Sequence, residues 1–457
     1  MSRSEKRPDS FQVDSTRQKV DAAFFRPEDA PNDGRPHWVD QILPIEFKSR
    51  KEGNKFDPFD DRDGAKIESG ATKRKESRGQ IITYANLLFY LQHRIFLVML
   101  CVIGRRFRFL RWDYAGALVT KSVDYYENPE LLCEFLWRIS YLSPVQLGLD
   151  PTAVRLHIRP DHMKAMDDIL KYLRKRAVDY EPDELTKPLR KGYVFQYVLD
   201  MFEKSIECLE FPRYELKITD GGETRSFIVG RPAFRGSGAL GGCIRGWVAY
   251  DTQDKCLVWL KDTWRPWSDS IEKEGDVLRR LNAASVEGVP TVVCHGDIEG
   301  QVTITGLWWE SKNPVSQCEP SSPVLTTAVS AQPPQTHLHS PYVLSSRAGS
   351  TSTALSTNIS GTSRNVHQGP DFPAPQSSDK KRKRDCDEQS YHVPSFVPIG
   401  RKGPSPRFRP DCPIQHYRHY RIVEQEVCLP LKEFRSPEQL VSIIFDCILG
   451  EYIRHSR

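Results

Sequence analysis

Gly241-Gly242-Cys243-Ile244-Arg245-Gly246-Trp247-Val248 is the stretch that decides the fold. Together with Ala249-Tyr250-Asp251 it fits the pattern G-x-G-x-x-G-x-V with one departure, Cys243 at the middle glycine. Glycines there let backbone N–H groups approach phosphates closely. A side chain at the middle position is expected to crowd that approach and impair nucleotide binding. Taken alone, the loop also reads as a glycine-rich hairpin without a ligand.

Two further elements come next in order. Cys256-Leu-Val-Trp-Leu-Lys261 is an apolar strand carrying one lysine, a loose fit to V-A-I-K. Glu274-Gly-Asp-Val-Leu-Arg-Arg-Leu281 puts Val277, Leu278 and Leu281 on one helical stripe. Glu274 lies one turn earlier, within reach of Lys261, and such an ion pair aims the lysine at nucleotide phosphates. Singly, these pieces read as an edge charge and an amphipathic helix. In this order, within about forty residues, they read as the small lobe of a protein kinase.

The surrounding residues resemble one family, the fungal-type protein kinases. The motifs are Arg245-Gly-Trp-Val-Ala-Tyr-Asp251, Trp259-Leu-Lys-Asp-Thr-Trp-Arg-Pro266, Glu274-Gly-Asp276, Gly288-Val-Pro-Thr291 and His419-Tyr-Arg-Ile-Val-Glu-Gln-Glu-Val-Cys-Leu-Pro-Leu431. Upstream, Arg78-Gly-Gln-Ile-Ile-Thr-Tyr84, Gln92-His-Arg94, Arg111-Trp-Asp-Tyr-Ala-Gly-Ala-Leu-Val-Thr120 and Phe135-Leu-Trp-Arg138 resemble the family's preceding domain. The resemblance implies ATP-dependent phosphorylation of Ser or Thr, with ATP and Mg as cofactors. It implies an ATP site on Gly241, Gly246, Val248, Lys261 and Glu274. Transfer also needs a carboxylate at the acceptor hydroxyl and another on magnesium. The helix expected over Leu440–His455 ends where the family's H-R-D segment would begin, and no H-R-D or D-F-G occurs in the 457 residues. The expectation is therefore a truncated, inactive kinase, a pseudokinase.

The N-terminal part carries a second constellation. In Leu43-Pro-Ile-Glu-Phe-Lys48, period-two alternation puts Glu46 and Lys48 on one face. Asp40 precedes Glu46, and Gln80 and Tyr84 are spaced i, i+4 on a helix. Apolar strands over 95–103 and 106–112 come after them, with a turn at Asp113-Tyr-Ala-Gly116. This order resembles the PD-(D/E)xK nuclease superfamily. The resemblance implies magnesium on Asp40 and Glu46, with Lys48 steadying the attacking water or the phosphate charge. A nuclease-like scaffold without activity and a simple α+β docking domain are the alternatives.

Composition is that of an intracellular chain of several parts. The motifs and the resemblance imply an α+β fold class. A disordered tail is expected over 1–20, followed by an α/β domain over 21–124, a helical connector over 125–212 and the first part of the lobe over 213–310. The fifth strand, hinge and following helix are expected over 411–457. The connector helices, Met163–Arg176 and Tyr193–Cys208 among them, are expected to pack on the N-terminal domain. Residues 49–77 are dense in charge and read as a mobile loop; residues 311–410, rich in Ser and Pro, read as a disordered insert between strands four and five. The insert holds Lys380-Lys381-Arg382-Lys383-Arg384, a basic run read as the address for a nuclear-import receptor, or else as a nucleic-acid contact. The nucleus is favoured over the cytoplasm. Eleven scattered cysteines without C-x-x-C read as reduced thiols. The longest apolar run, Phe96–Ile103, is far short of the roughly 20 residues that span a membrane, so no membrane partner is expected. The net charge of +5 alone does not imply nucleic acid. A third functional reading is a non-catalytic nuclear interaction protein.

Overall fold

Apolar runs and alternating segments build two large sheets. The computed structural model describes residues 2–3, 18, 20–32, 37–49, 56–62, 67–68, 70–156, 160–179, 192–208, 211–236, 243–314, 408–409, 411–434 and 436–445. All lie in one compact unit, Met1–Ser330 with Gly403–Arg457.

The first sheet contains β1 (Ser2–Arg3), β2 (Ala22–Phe24), β3 (Leu43–Lys48), β4 (Leu97–Ile103), β5 (Arg106–Asp113), β6 (Gly116–Val119) and β7 (Val123–Asp124). Its order is β1-β2-β3-β4-β5-β6, with β7 also on β5. Strands β3 and β4 are parallel. A parallel pair needs a crossover, and α1 (Thr72–Leu91) supplies it. Helix α1 buries Ile81, Tyr84, Leu88 and Phe89 with Trp38, Met99 and Leu110 of the sheet side. On the opposite face α2 (Pro129–Tyr141) lays Leu132, Phe135, Leu136 and Ile139 over Ile45, Leu100 and Phe107.

The expected mobile loop over 49–77 is corrected in its described part. Thr72 onward is already helix. Asp57 and Asp61 reach inward to Arg108, which is buried in β5 and holds both carboxylates at 2.7–3.1 Å. Buried guanidinium must be paired to be tolerated, and the acidic residues of this segment do that.

The connector is not purely helical. It contains β8 (Ala153–Leu156), α3 (Pro160–Arg174), β9 (Ala177–Val178), β10 (Val194–Phe195) and α4 (Gln196–Glu207). The second sheet adds β11 (Arg213–Asp220), β12 (Glu223–Val229), β13 (Phe234–Arg235), β14 (Ile244–Asp251), β15 (Cys256–Pro266), β16 (Val292–Val302) and β17 (Tyr417–Glu424). The order is β16-β17-β15-β14-β12-β11-β8, with β13 beside β14. Five strands with one helix were expected over 213–310 and 411–457; the sheet that contains these residues has eight strands, one of them, β8, from the connector. Helices α5 (Glu274–Ala283), α6 (Thr305–Lys312) and α7 (437–445) complete the unit. Strand β17 enters between β15 and β16. Residues 315–407, which hold most of the expected insert and its basic run at 380–384, lie outside the described residues.

The two sheets share a core. Cys243 and Trp264 pack among Phe89, Tyr114 and their neighbours, and the Tyr114 and Trp264 rings stack at 4.3 Å. Asp113 accepts from the N–H groups of Ile304 (2.9 Å) and Thr305 (3.1 Å), capping the start of α6 from the other sheet. The Arg111–Thr120 motif is therefore part of the junction. Arg421 is wholly buried between Asp150 and Asp262, and His419 Nε2 adds a contact to Asp262 at 3.0 Å. Burial opposes the Asp262 charge, but His419, Arg245 and Arg421 outweigh it and hold that carboxyl well below its usual range.

Candidate functional site

Antiparallel pairing of β14 with β15 puts Gly246, Val248, Trp259 and Lys261 on one face. Lys261 Nζ meets Glu274 Oε2 at 2.7 Å and Oε1 at 2.8 Å. Glu274 opens α5, where a carboxylate suits the helix N-terminus. The next residue fixes that turn: the Gly275 N–H donates to the Tyr420 hydroxyl of β17 at 2.8 Å. The pair is open to solvent, with Lys261 26% and Glu274 41% exposed. Glu424 stands beside it. Burial and the Glu274 charge push the Glu424 carboxyl up to about 7, against the pull of Lys261.

Gly241 lies outside the described residues. Cys243 corrects the expectation placed on it. It shares the parity of Arg245 and Trp247, opposite to Gly246 and Val248, and its thiol is buried in the shared core. It does not crowd the lysine face. Trp259 does. A Cβ added at Gly246 would lie 2.4 Å from Trp259 Cζ2, so the indole fills the space under that glycine.

The rest of this face is covered by the chain itself. Val248, Tyr250, Leu257 and Val427 form one cluster with Met166, Leu170 and Leu173 of α3 and with Val198, Leu199, Phe202 and Ile206 of α4. The Tyr197 hydroxyl donates to the Val427 carbonyl at 2.6 Å. This corrects the expectation that these helices pack on the N-terminal domain. Among the described residues α2 does; the apolar stripes of α3 and α4 bury the Val248 and Leu257 side of the second sheet.

The second constellation is partly brought together. Lys48 Nζ meets Glu46 Oε1 at 2.5 Å and Gln80 Oε1 at 2.6 Å, and Gln80 Nε2 donates to the Tyr84 hydroxyl at 2.5 Å. Asp40 does not join them; it pairs with Arg155 of β8 at 2.5 Å. The acid beside Glu46 is Asp21. The β2–β3 register sets Ala22 against Ile45, which puts Asp21 opposite Glu46, and Asp21 Oδ2 accepts the Phe47 N–H at 2.9 Å. Glu46 is 2% exposed, and no hydrogen bond reaches its Oε2. Burial pushes its carboxyl up to about 7; Lys48 opposes the shift and Asp21 adds to it.

Sequence reasoning missed Asp21 and Trp259. Asp21 lies outside any motif and is found only through strand pairing. Trp259 was legible: it stands two residues before Lys261, where the pattern has alanine, and alternation puts it on the lysine face.

The model of the fungal protein kinase family matches residues 64–453. The chain belongs to the fungal protein kinase family. The match begins ahead of α1, so the family's shared sequence includes most of the first sheet as well as the lobe. No curated protein matches this fungal protein kinase chain, and no solved structure matches it.

ATP and magnesium are what the family implies. The Lys261–Glu274 pair suits phosphate. The face beyond it does not suit a base, because Trp259 fills the space under Gly246 and α4 covers Val248 and Leu257.

Proposed function

We propose that this chain is a fungal-type protein-kinase lobe whose family chemistry is phosphoryl transfer from ATP to Ser or Thr, and that it does not itself turn over nucleotide in the arrangement described. The observation that carries this reading is the seating of α3 and α4 on the lysine face, fastened by Tyr197 on Val427. A nucleotide held at Lys261 has to lie along that face, and the apolar surface there is already spent on the chain's own helices. The lobe then serves as a bound, pseudokinase-type module, and the preserved Lys261–Glu274 pair is structural. Labelled-phosphate transfer to generic Ser/Thr substrates with magnesium tests this. Transfer that disappears in Lys261→Ala overturns it.

A second reading rests on one group of side chains in the first sheet. Asp21 and Glu46 face each other on paired strands, and Lys48 and Gln80 lie beside them. Two convergent carboxylates with a buried free oxygen are a donor set for a hard divalent cation. Asp21 and Glu46 would hold such an ion, which would supply Lewis acidity toward a phosphodiester. Lys48, oriented by Glu46 and Gln80, would neutralise phosphate charge. Magnesium- or manganese-dependent cleavage of DNA or RNA, lost in Glu46→Gln and Lys48→Ala, is the expected result; cleavage unchanged in both variants removes the reading.

A further inference from the structure

The chain on either side of residues 315–407 converges on three side chains. Glu310 lies in the last turns of α6; Cys412 and His416 lie on the run into β17. One ligand atom from each falls within 4.8 Å of the other two. His416 Nε2 is 3.0 Å from Glu310 Oε1. The Cys412 thiol makes only weak contacts, with the carbonyls of Ile414 (3.4 Å) and Gly306 (4.0 Å).

The imidazole is held in place. His416 is buried, Phe408 stacks on it at 3.8 Å, and its other face lies so close to Gly306 that an added Cβ would be 2.5 Å from Cε1. The ring therefore holds Nε2 at a fixed position beside Glu310. The backbone is fastened at the same point: the Arg409 N–H donates to Glu310 Oε1 at 3.1 Å, and the Arg409 guanidinium reaches the Asn313 carbonyl. One thiolate, one imidazole and one carboxylate make a mixed S, N, O donor set, which suits a borderline cation such as Zn²⁺ better than Mg²⁺ or Ca²⁺.

We propose that Glu310, Cys412 and His416 bind one zinc-class divalent cation, with a fourth position left for water, and that the ion clasps α6 to the entry of β17. The consequence comes from topology. Strand β17 has to enter between β15 and β16 after a long excursion of the chain. Bringing together two chain positions that are far apart in sequence has an entropic cost that grows with their separation. A metal that joins the two ends favours the closed state because the unfolded chain lacks the assembled site.

The test uses the full chain, reduced and stripped with chelator, titrated with Co²⁺ as a spectroscopic stand-in. The expected result is saturation at one equivalent, with thiolate-to-cobalt charge transfer in the near ultraviolet and tetrahedral visible bands. Zn²⁺ should displace the cobalt, raise the unfolding temperature and slow amide exchange over Tyr420–Glu424. The charge-transfer band should vanish in Cys412→Ser and persist in Cys428→Ser, which changes an exposed thiol. Glu310→Gln, isosteric and neutral, provides a second variant if the serine substitution impairs folding; at least a tenfold weaker affinity is expected. Spectra without a stoichiometric tetrahedral species, or binding unchanged in both Cys412→Ser and Glu310→Gln, would overturn the proposal.

Discussion

The hydroxyl of Tyr197 and the carbonyl of Val427 form a 2.6 Å hydrogen bond that ties α4 to the segment after β17. That segment leads out of the lobe's sheet toward α7, and α4 belongs to the connector before the lobe. The bond makes the connector part of the lysine face.

Tyr197→Phe should loosen this fastening. A neutral hydrogen bond of this kind is worth about 1 kcal/mol net, and the Val427 carbonyl would be left partly unpaired. The expected outcome is a small fall in the unfolding midpoint and faster proteolysis within 192–208, with the first sheet unaffected. Unchanged proteolysis in that segment would show that apolar packing alone holds α4.

Arg421 offers a larger effect. It lies between Asp150 and Asp262 with no solvent exposure, so Arg421→Met leaves two buried carboxylates facing each other. Breaking such a cluster by removing one partner destabilises by about 3–5 kcal/mol. Denaturant unfolding measures this. A loss under about 1 kcal/mol would mean that the cluster is hydrated.

Glu46 makes stability depend on pH. Its folded carboxyl is raised from 4.5 to about 7 by burial, so the folded state holds a proton that the unfolded state releases. The native state is favoured below about pH 4.5 and loses that advantage as pH rises through about 7. Glu46→Gln removes the penalty. Its stability relative to the parent chain should increase between pH 5 and pH 8 by roughly 3 kcal/mol at most. A gap that stays constant over this range would contradict the buried, raised carboxyl.

The basic run at 380–384 lies outside the described residues, and its prediction rests on sequence. Five consecutive cations are the kind of run that a nuclear-import receptor reads. Replacing Lys380, Lys381, Arg382, Lys383 and Arg384 with Ala in a fluorescent fusion should shift the protein from nucleus to cytoplasm. An unchanged distribution would leave a nucleic-acid contact or an inert charge run.

Local pattern carried much of this in the sequence. The Gln80–Tyr84 helix spacing and the shared face of Glu46 and Lys48 come from short-range periodicity, the Lys261–Glu274 pair from the order of the kinase-like motifs, and each is present as a contact. What was not legible depends on pairing across long separations. Asp40 is closer to Glu46 in sequence, but strand register gives Asp21 that place. The amphipathic stripes of α3 and α4 showed that they bury a face; nothing in the stripes showed which surface receives it. The motif alone points Cys243 to the phosphate side, whereas strand parity turns it inward.

The central claim is that the lysine face is closed to nucleotide by α3, α4 and Trp259. Calorimetric titration of the full chain with ATP and magnesium tests it most directly. No saturable heat is expected up to millimolar nucleotide. Stoichiometric binding that is lost in Lys261→Ala would contradict it.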